Sequence, residues 1–538
     1  MYSEGEAPRR HDAARLDILP PNWTRLFDSS SIFGPRNMGQ SPTKTIPTVE
    51  QIRKRVQDLW NIRPCLWQIE VVQAILERDG DIVSVAGTGM GKTLTFWMPI
   101  LFSAPGSVQI IVTPLNLLGQ QQVATAEKLG LKAVFVCGDS APTINWHDVA
   151  TGVYQVLVIN PELLMRPGGG FEKIARLPSF RQRIISLIFD EGHCISTWSS
   201  FRHEYKHIGN LSYILPADIP RVITTATLPD TTLDDIKKTL HLGSRRLKLF
   251  HFSIDRPNIN ITIKKIQSDL NTFEDLRFVL NGYVPGKSAP KATFAVFFDN
   301  IPESIAARDA LLKHLSPEDF DKILWFNSEM SGTFKTEHVE ALRTGKLWGI
   351  LTTESFGVGL DLPNIDLVGQ WRATCSITAL WQRFGRAGRD RSKEATAVFL
   401  VEKEYFDDEK KRKEAKRLAR LQKKNKKARN NPATIPGSVT FIQEGQSNSS
   451  SSSESDDELP QITTPAPSTS AQPGRKRKKP ERVIEPEMDE LINAKQRKYP
   501  CVRIPILKAF KDNRAGGSRN SGFMEKILRL AVALPELR

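Results

Sequence analysis

The stretch AGTGMGKT, residues 86–93, takes its meaning from what stands on either side of it. DIVSV (81–85) before it is a short run of strand formers, and LTFWMPILF (94–102) after it is apolar with helical spacing. A chain that leaves a strand, turns on glycines and restarts as a helix aims several backbone N–H groups and the positive end of a helix dipole at one point, which suits a phosphate chain. In that setting Gly87, Thr88, Gly89, Met90 and Gly91 form the cradle, Lys92 reaches the β- and γ-phosphates, and the Thr93 hydroxyl ligates a magnesium ion. The cofactors implied are ATP and Mg²⁺. The strict pattern opens on glycine; here the first position is Ala86.

Outward from this loop the chain alternates short apolar runs with helical stretches. DIVSVAG, VQIIVTP, KAVFVCG, YQVLVIN, ISLIFDE and RVITTAT lie between 81 and 227 and are rich in valine and isoleucine. Runs that are apolar throughout, rather than on alternate residues, fit a parallel sheet covered on both faces. The pattern returns in ATFAVFFDN, KILWFNS, WGILTTE, DLVGQW and TAVFLVE, between 292 and 402. The spacing predicts two α/β domains, at 46–244 and 245–406, with helices opening the first at TVEQIRKRVQDLW and WQIEVVQAILERD. A flexible leader precedes them at 1–45.

The acidic pair Asp190 and Glu191, in LIFDEGHCIS, ends an apolar run. Ligands of open parallel sheets collect at the carboxyl ends of strands. There Asp190 would hold the metal and Glu191 would orient the attacking water, the positioning that phosphoryl transfer needs. In the second domain, QRFGRAGRD sets Arg386 and Arg389 three residues apart, so that both reach one helix face as arginine fingers for the transferring phosphoryl group.

Taken in this order, the motifs resemble those of superfamily-two helicases, which tolerate alanine at the head of the phosphate loop and whose acidic box reads DEAD or DEAH where this chain has DEGH. The resemblance implies two tandem RecA-like domains with ATP in the cleft between them. It also implies coupling roles for His193 and for Thr225 and Thr227 of the TAT triplet, nucleotide contacts for Gln382, and a motif touching nucleotide and nucleic acid at TTESFGVGLD, with Gly357, Gly359 and Asp361. CISTWSSFRHEY (194–205) is similar to the aromatic loop of RecQ helicases, although that family has one more residue between the Trp and the Phe. Trp198, Phe201 and Arg202 would there stack on bases and touch phosphate; a local hydrophobic staple is the plainer alternative. FSIDRPNINI (252–261) resembles the family's entry to the second domain, and TPLNLLGQQ, from Thr113 and Pro114, its strand-contacting loop, as does INPELL (159–164). RPCLWQIE offers Gln68 as an adenine reader with Trp60 as a stacking partner, but the arginine the family places three residues before that glutamine is Cys65 here, so Gln68 reads equally as an ordinary helix residue.

The resemblance spans about 46–405 and implies a 3′–5′ DNA helicase of recombination and repair, acting on single-stranded and on tailed or branched DNA in the nucleus. A translocase or RNA-directed ATPase without processive unwinding is the alternative, because the family's zinc-binding and winged-helix modules are not recognisable. A nucleic-acid scaffold with an inactive motor is a third. Five scattered cysteines offer no zinc-ligand spacing and no disulfide framework. No run of about 18 apolar residues predicts a membrane span, and the opening MYSEGEAPRRHDAARL has no signal-peptide core. The net charge of +15 suits a polyanionic partner. Part of it lies in 410–429, which holds twelve Lys or Arg and one Glu. From 407 to 500 the composition predicts a disordered charged tail, with Ser453 and Ser455 among acids as phosphorylation candidates and Arg475–Lys479 as a nuclear signal, a nucleic-acid patch or simply a solvated linker. A short amphipathic segment closes the chain at 501–538.

Overall fold

The computed structural model describes residues 46–138, 140–141, 143–200, 202–243, 245–327, 329–353, 365–390, 392–429 and 484–510. Asp361, Gly357, Gly359 and Phe201, the leader, the tail from 430 to 483 with its serines and basic run, and the closing segment beyond 510 lie outside the described residues.

Both predicted sheets are present and wholly parallel. The first has seven strands: β1 Gly80–Val85, β2 Val108–Val112, β3 Ala133–Val136, β4 Val156–Ile159, β5 Ile184–Phe189, β6 Arg221–Thr225 and β7 Arg246–His251. Their order across the sheet is β3-β4-β2-β5-β6-β1-β7. β1, β2, β4 and β5 are buried at every residue, as continuous apolar runs require. The second sheet has six: β8 Ile259–Lys265, β9 Phe294–Phe297, β10 Ile323–Phe326, β11 Gly349–Thr352, β12 Leu367–Trp371 and β13 Ala395–Val401, ordered β10-β11-β9-β12-β13-β8. Each sheet has its own core. Val71, Ile75, Phe96, Trp97, Ile111, Val158 and Ile188 fill the first; Leu276, Phe294, Val296, Phe298, Leu351, Trp371 and Leu400 fill the second. Each such large apolar side chain contributes about 1.5–3 kcal/mol on burial.

The domain boundary at 244/245 is corrected by β7. RLKLFH pairs with β1 from Gly80–Arg246 to Val85–His251, so it belongs to the first sheet. The change of domain therefore falls between His251 and Ile259. β7 and β8 escape a search for apolar runs because they are edge strands. β8 alternates between covered and exposed residues, and β7 has no fully buried one.

Two parts of the expected tail are folded. Asp407–Arg429 is one helix. Its alanine, leucine, lysine and arginine are strong helix formers, Asp407, Asp408 and Glu409 sit at its positive end, and Arg412–Glu409 and Arg417–Glu414 pair one turn apart. Charge density argued for disorder; local propensity decides instead. The other part, Glu485–Phe510, holds helices Pro486–Ile492 and Arg503–Ala509, which pack together with the core of the two sheets.

Candidate functional site

Strand order brings the sequence motifs together. β5, β6 and β1 are neighbours, so the turns after them are adjacent although they lie near 190, 226 and 87 in the chain. Ala86 N donates to Thr225 O at 3.1 Å and Gly192 N to Thr224 O at 2.9 Å, lashing the three turns together. A cleft of about 520 Å³ opens above them, lined by Thr88, Lys92, Thr93, Asp190 and Glu191 from the first domain and by Arg386 and Arg389 from the second. The arginines do not share a helix face as expected: helix Ile377–Phe384 ends before them, and they reach the cleft from the loop that follows it.

In the phosphate loop Gly89 and Gly91 take φ of +75° and +76°, which glycine alone adopts freely. Lys92 is held inside its own loop, Nζ donating to Ala86 O at 2.8 Å. Burial lowers its pKa, against the pull of Glu191 and Asp190. Gln68 lies beneath this loop, with 5 % of its surface exposed. Its Nε2 donates to Gly91 O at 2.9 Å and its Oε1 accepts from Cys65 N at 2.8 Å. The amide that suggested an adenine reader is thus engaged in supporting the phosphate loop. Trp60 likewise packs in the core and donates to Leu129 O at 3.0 Å; it does not face the cleft's lining.

Asp190 and Glu191 form a crowded acidic pair. Burial, and then the Glu191 charge, push the Asp190 carboxyl up to about 7. Asp190 accepts from Glu191 N at 3.0 Å and from Gln122 Nε2 at 2.5 Å. Gln122, on the helix Asn116–Lys128, was not singled out by the sequence reading; its only signal is its place on the helix after the TPLN turn. Glu191 stands at φ +48°, a left-handed backbone that costs a non-glycine residue about 1–3 kcal/mol and clusters at functional sites. Its Oε2 is buried with no hydrogen-bond partner, 3.5 Å from His193 Nδ1. The oxygen donors Asp190 and Thr93, side by side in the cleft, suit a magnesium ion, which takes few protein ligands and completes its shell from phosphate and water.

Behind the acidic pair runs a buried polar chain that crosses between domains. Thr225 Oγ1 donates to Thr227 O at 2.9 Å, leaving it to accept from His193 Nδ1 at 3.1 Å. His193 Nε2 is then the acceptor for Gln382 Nε2 at 3.2 Å, and the second Gln382 proton goes to Thr227 Oγ1 at 3.1 Å. Gln382, expected to touch nucleotide, is positioned as the link between the second domain and the TAT turn. A second link lies in the DRPN entry to the second domain, a stretch legible in the sequence although the part played by its arginine was not. Arg256, in DRPN, has 2 % of its surface exposed. It donates to Thr88 Oγ1 and Gly385 O at 3.1 Å each, to Ala387 O at 3.0 Å and to Gly388 O at 2.6 Å. One guanidinium therefore joins the phosphate loop to the arginine loop. Arg383 is also buried, paired with Asp299 at 2.8 Å and with Gln370 Oε1 at 2.7 Å.

A second opening, of about 1070 Å³, separates the TPLN and NPEL turns of the first domain from the start of helix Gly332–Arg343 in the second, with Lys335 and Arg202 in its walls. Arg202 lies 4.9 Å from the Trp198 ring centroid, donates to Pro114 O at 2.6 Å and faces Glu162 at 3.5 Å. The aromatic loop is thus fastened to the TPLN turn. Pro114 lines the opening, whereas Thr113 is fully buried and contributes no surface to it. Among the described residues, no helix is long and apolar enough to cross a membrane.

The fold and this site define a superfamily-two helicase core. Residues 66–236 match the DEAD/DEAH box helicase family and residues 287–391 the helicase conserved C-terminal domain. Within that class the core is RecQ-like. It is 27 % identical over 343 residues to the ATP-dependent helicase wrn-1 of Caenorhabditis elegans, covering 63 % of this chain and 31 % of that one. It is 26 % identical over 365 residues to the ATP-dependent DNA helicase RecQ of Haemophilus influenzae, covering 67 % and 54 %. The chain thus spans less than two thirds of the length of these curated relatives. Among solved structures, the DUF1998 helicase MrfA bound to DNA shares the fold, with a TM-score of 0.52, 18 % identity and coverage of 67 % of this chain and 51 % of that one.

Proposed function

We propose that this chain is an ATP-driven DNA motor that moves 3′ to 5′ along a single strand and opens tailed or branched duplexes in nuclear recombination and repair. The observation that carries the motor reading is the cleft that gathers Lys92, Thr93, Asp190 and Glu191 with Arg386 and Arg389 of the other domain. The direction, the choice of DNA and the repair role rest on the likeness to RecQ relatives.

In this mechanism Lys92 leaves its loop carbonyls to meet the β- and γ-phosphates, and Thr93 and Asp190 would hold a magnesium ion, which would supply neutralising charge to the phosphate oxygens. Glu191 offers its unpartnered Oε2 to orient the attacking water. Arg386 and Arg389 supply transition-state charge only when the domains close, so hydrolysis follows closure. Through the Gln382–His193–Thr227 contacts the same closure reaches the turn behind Glu191. A strand in the opening between TPLN and Lys335 would be gripped and released with each cycle.

The test is ATPase rate with and without single-stranded DNA, then strand displacement on 3′-tailed, 5′-tailed and RNA duplexes. DNA-stimulated hydrolysis lost in Lys92→Ala, with displacement from 3′ tails only, is the expected result. Hydrolysis intact in Lys92→Ala would end the motor assignment, and stimulation by RNA alone would end the DNA assignment.

A further inference from the structure

Glu485–Phe510 lies outside both matched helicase regions, yet it is folded and its polar contacts fall on the helix before the arginine loop and on the crossing between the domains. Met488, Leu491, Ile504, Ile506 and Phe510 are buried. Asn493 Nδ2 donates to Tyr405 O at 3.1 Å, anchoring the segment where the last strand of the second sheet has ended. Two polar contacts go further. Glu485 Oε2 accepts from Ile377 N at 2.9 Å, the first residue of helix Ile377–Phe384, which leads into the arginine loop. A carboxylate there satisfies a terminal N–H and favours the helix dipole.

Arg503 grips the crossing between the domains. Its Nη1 donates to Asp255 Oδ1 at 2.9 Å and to Arg256 O at 2.7 Å; its Nη2 donates to Pro257 O at 3.4 Å and to Ile259 O. These acceptors run from the stretch after β7 to the first residue of β8, where the chain passes from one domain to the other. They include the backbone of Arg256, the residue whose own side chain ties Thr88 of the phosphate loop to Gly385, Ala387 and Gly388. A guanidinium fork matches four acceptors; an ammonium, as a point charge, does not.

We infer that 485–510 is a working part of the motor and that Arg503 is a positioning residue, holding the hinge backbone so that Arg256 keeps the arginine loop in register with the phosphate loop. This inference rests on the motor reading above. Its test uses the full chain carrying Arg503→Ala or Arg503→Lys, with kcat and KM for ATP measured at saturating single-stranded DNA and hydrogen exchange followed over 252–259 and 377–388.

Arg503→Ala should lower kcat about tenfold with KM for ATP within threefold, and speed exchange in both stretches. Arg503→Lys should fall between it and wild type. A segment that only stabilised the fold would lower the unfolding midpoint and leave kcat per folded molecule unchanged, and that result overturns the inference. Should Arg503→Ala not fold, Arg503→Lys decides alone, and a wild-type kcat in it overturns the inference. A wild-type chain without DNA-stimulated hydrolysis removes the motor reading itself, a failure visible before any variant is compared.

Discussion

Gln382 gives the sharpest test of how the two domains talk. Its amide nitrogen donates to His193 Nε2 at 3.2 Å and to Thr227 Oγ1 at 3.1 Å, and all three residues are buried. A buried neutral hydrogen bond contributes about 1 kcal/mol net, so Gln382→Ala removes about 2 kcal/mol from the closed arrangement. If closure is what brings Arg386 and Arg389 to the phosphates, that loss appears in the barrier to hydrolysis and amounts to about a 30-fold fall in kcat. The assay is steady-state hydrolysis at saturating ATP and single-stranded DNA, for Gln382→Ala, His193→Ala and the pair. Because the residues share one network, the double variant should lose much less than the sum of the two single losses. Wild-type kcat in Gln382→Ala, or additive losses in the pair, would refute the reasoning.

Two further outcomes follow from the acidic box. The Asp190 carboxyl is raised above its ordinary 3.8 to about 7 by burial first and then by Glu191, so the fold favours the protonated form and loses stability as pH climbs between those two values. Asp190→Asn should therefore melt higher than wild type at pH 8 without nucleotide or metal, with the gap closing toward pH 4, while hydrolysis is abolished; Gln122 can turn its unused Oε1 to the new amide. Lower stability of the Asn variant at pH 8 would contradict this. Gly192→Ala, which restores the usual helicase box, should destabilise by about 1–3 kcal/mol, because a Cβ there would meet Ile223 Cγ2 at 2.4 Å. Denaturant midpoints should show Ile223→Ala, but not Ile223→Val, easing that cost.

What could be read in the sequence follows from how local each feature is. The phosphate loop, the acidic box and the arginine string are contiguous, and each carries its chemistry within ten residues. The buried central strands were legible because a parallel sheet covered on both faces writes itself as unbroken apolar runs. β7 and β8 were not, since an edge strand alternates or stays half exposed, and the domain boundary moved with them. Gly192 reads in sequence as a tolerable loosening of the turn; only the neighbouring strand reveals that Ile223 fills the space an alanine would need. Gln68 and Gln382 were found as polar residues in the right motifs, but which partner an amide meets is a property of the tertiary fold. Arg503 and Arg256 are some 250 residues apart in sequence, and nothing in either segment alone announces their contact.

The placement of the aromatic loop argues for how strand contact reaches the chemistry. Glu191 and Trp198 are joined by His193 and the single helical turn Cys194–Thr197, so a shift at one end has few bonds in which to dissipate. At the far end Arg202 stacks on Trp198 and holds Pro114 O, and Pro114 and Arg202 both border the opening beside Lys335. At the near end Glu191 is held at φ +48° beside His193, which Gln382 engages from the second domain. On the mechanism proposed above, a strand that drew Arg202 toward its phosphates would pull on the same short element whose other end carries the carboxylate. Glu191 is thus held from two sides, by the loop fastened to the TPLN turn and by the histidine that Gln382 engages from the second domain. A residue in a strained backbone conformation adopts its working position only while its surroundings over-determine it, which on the proposed mechanism would mean strand and closure together.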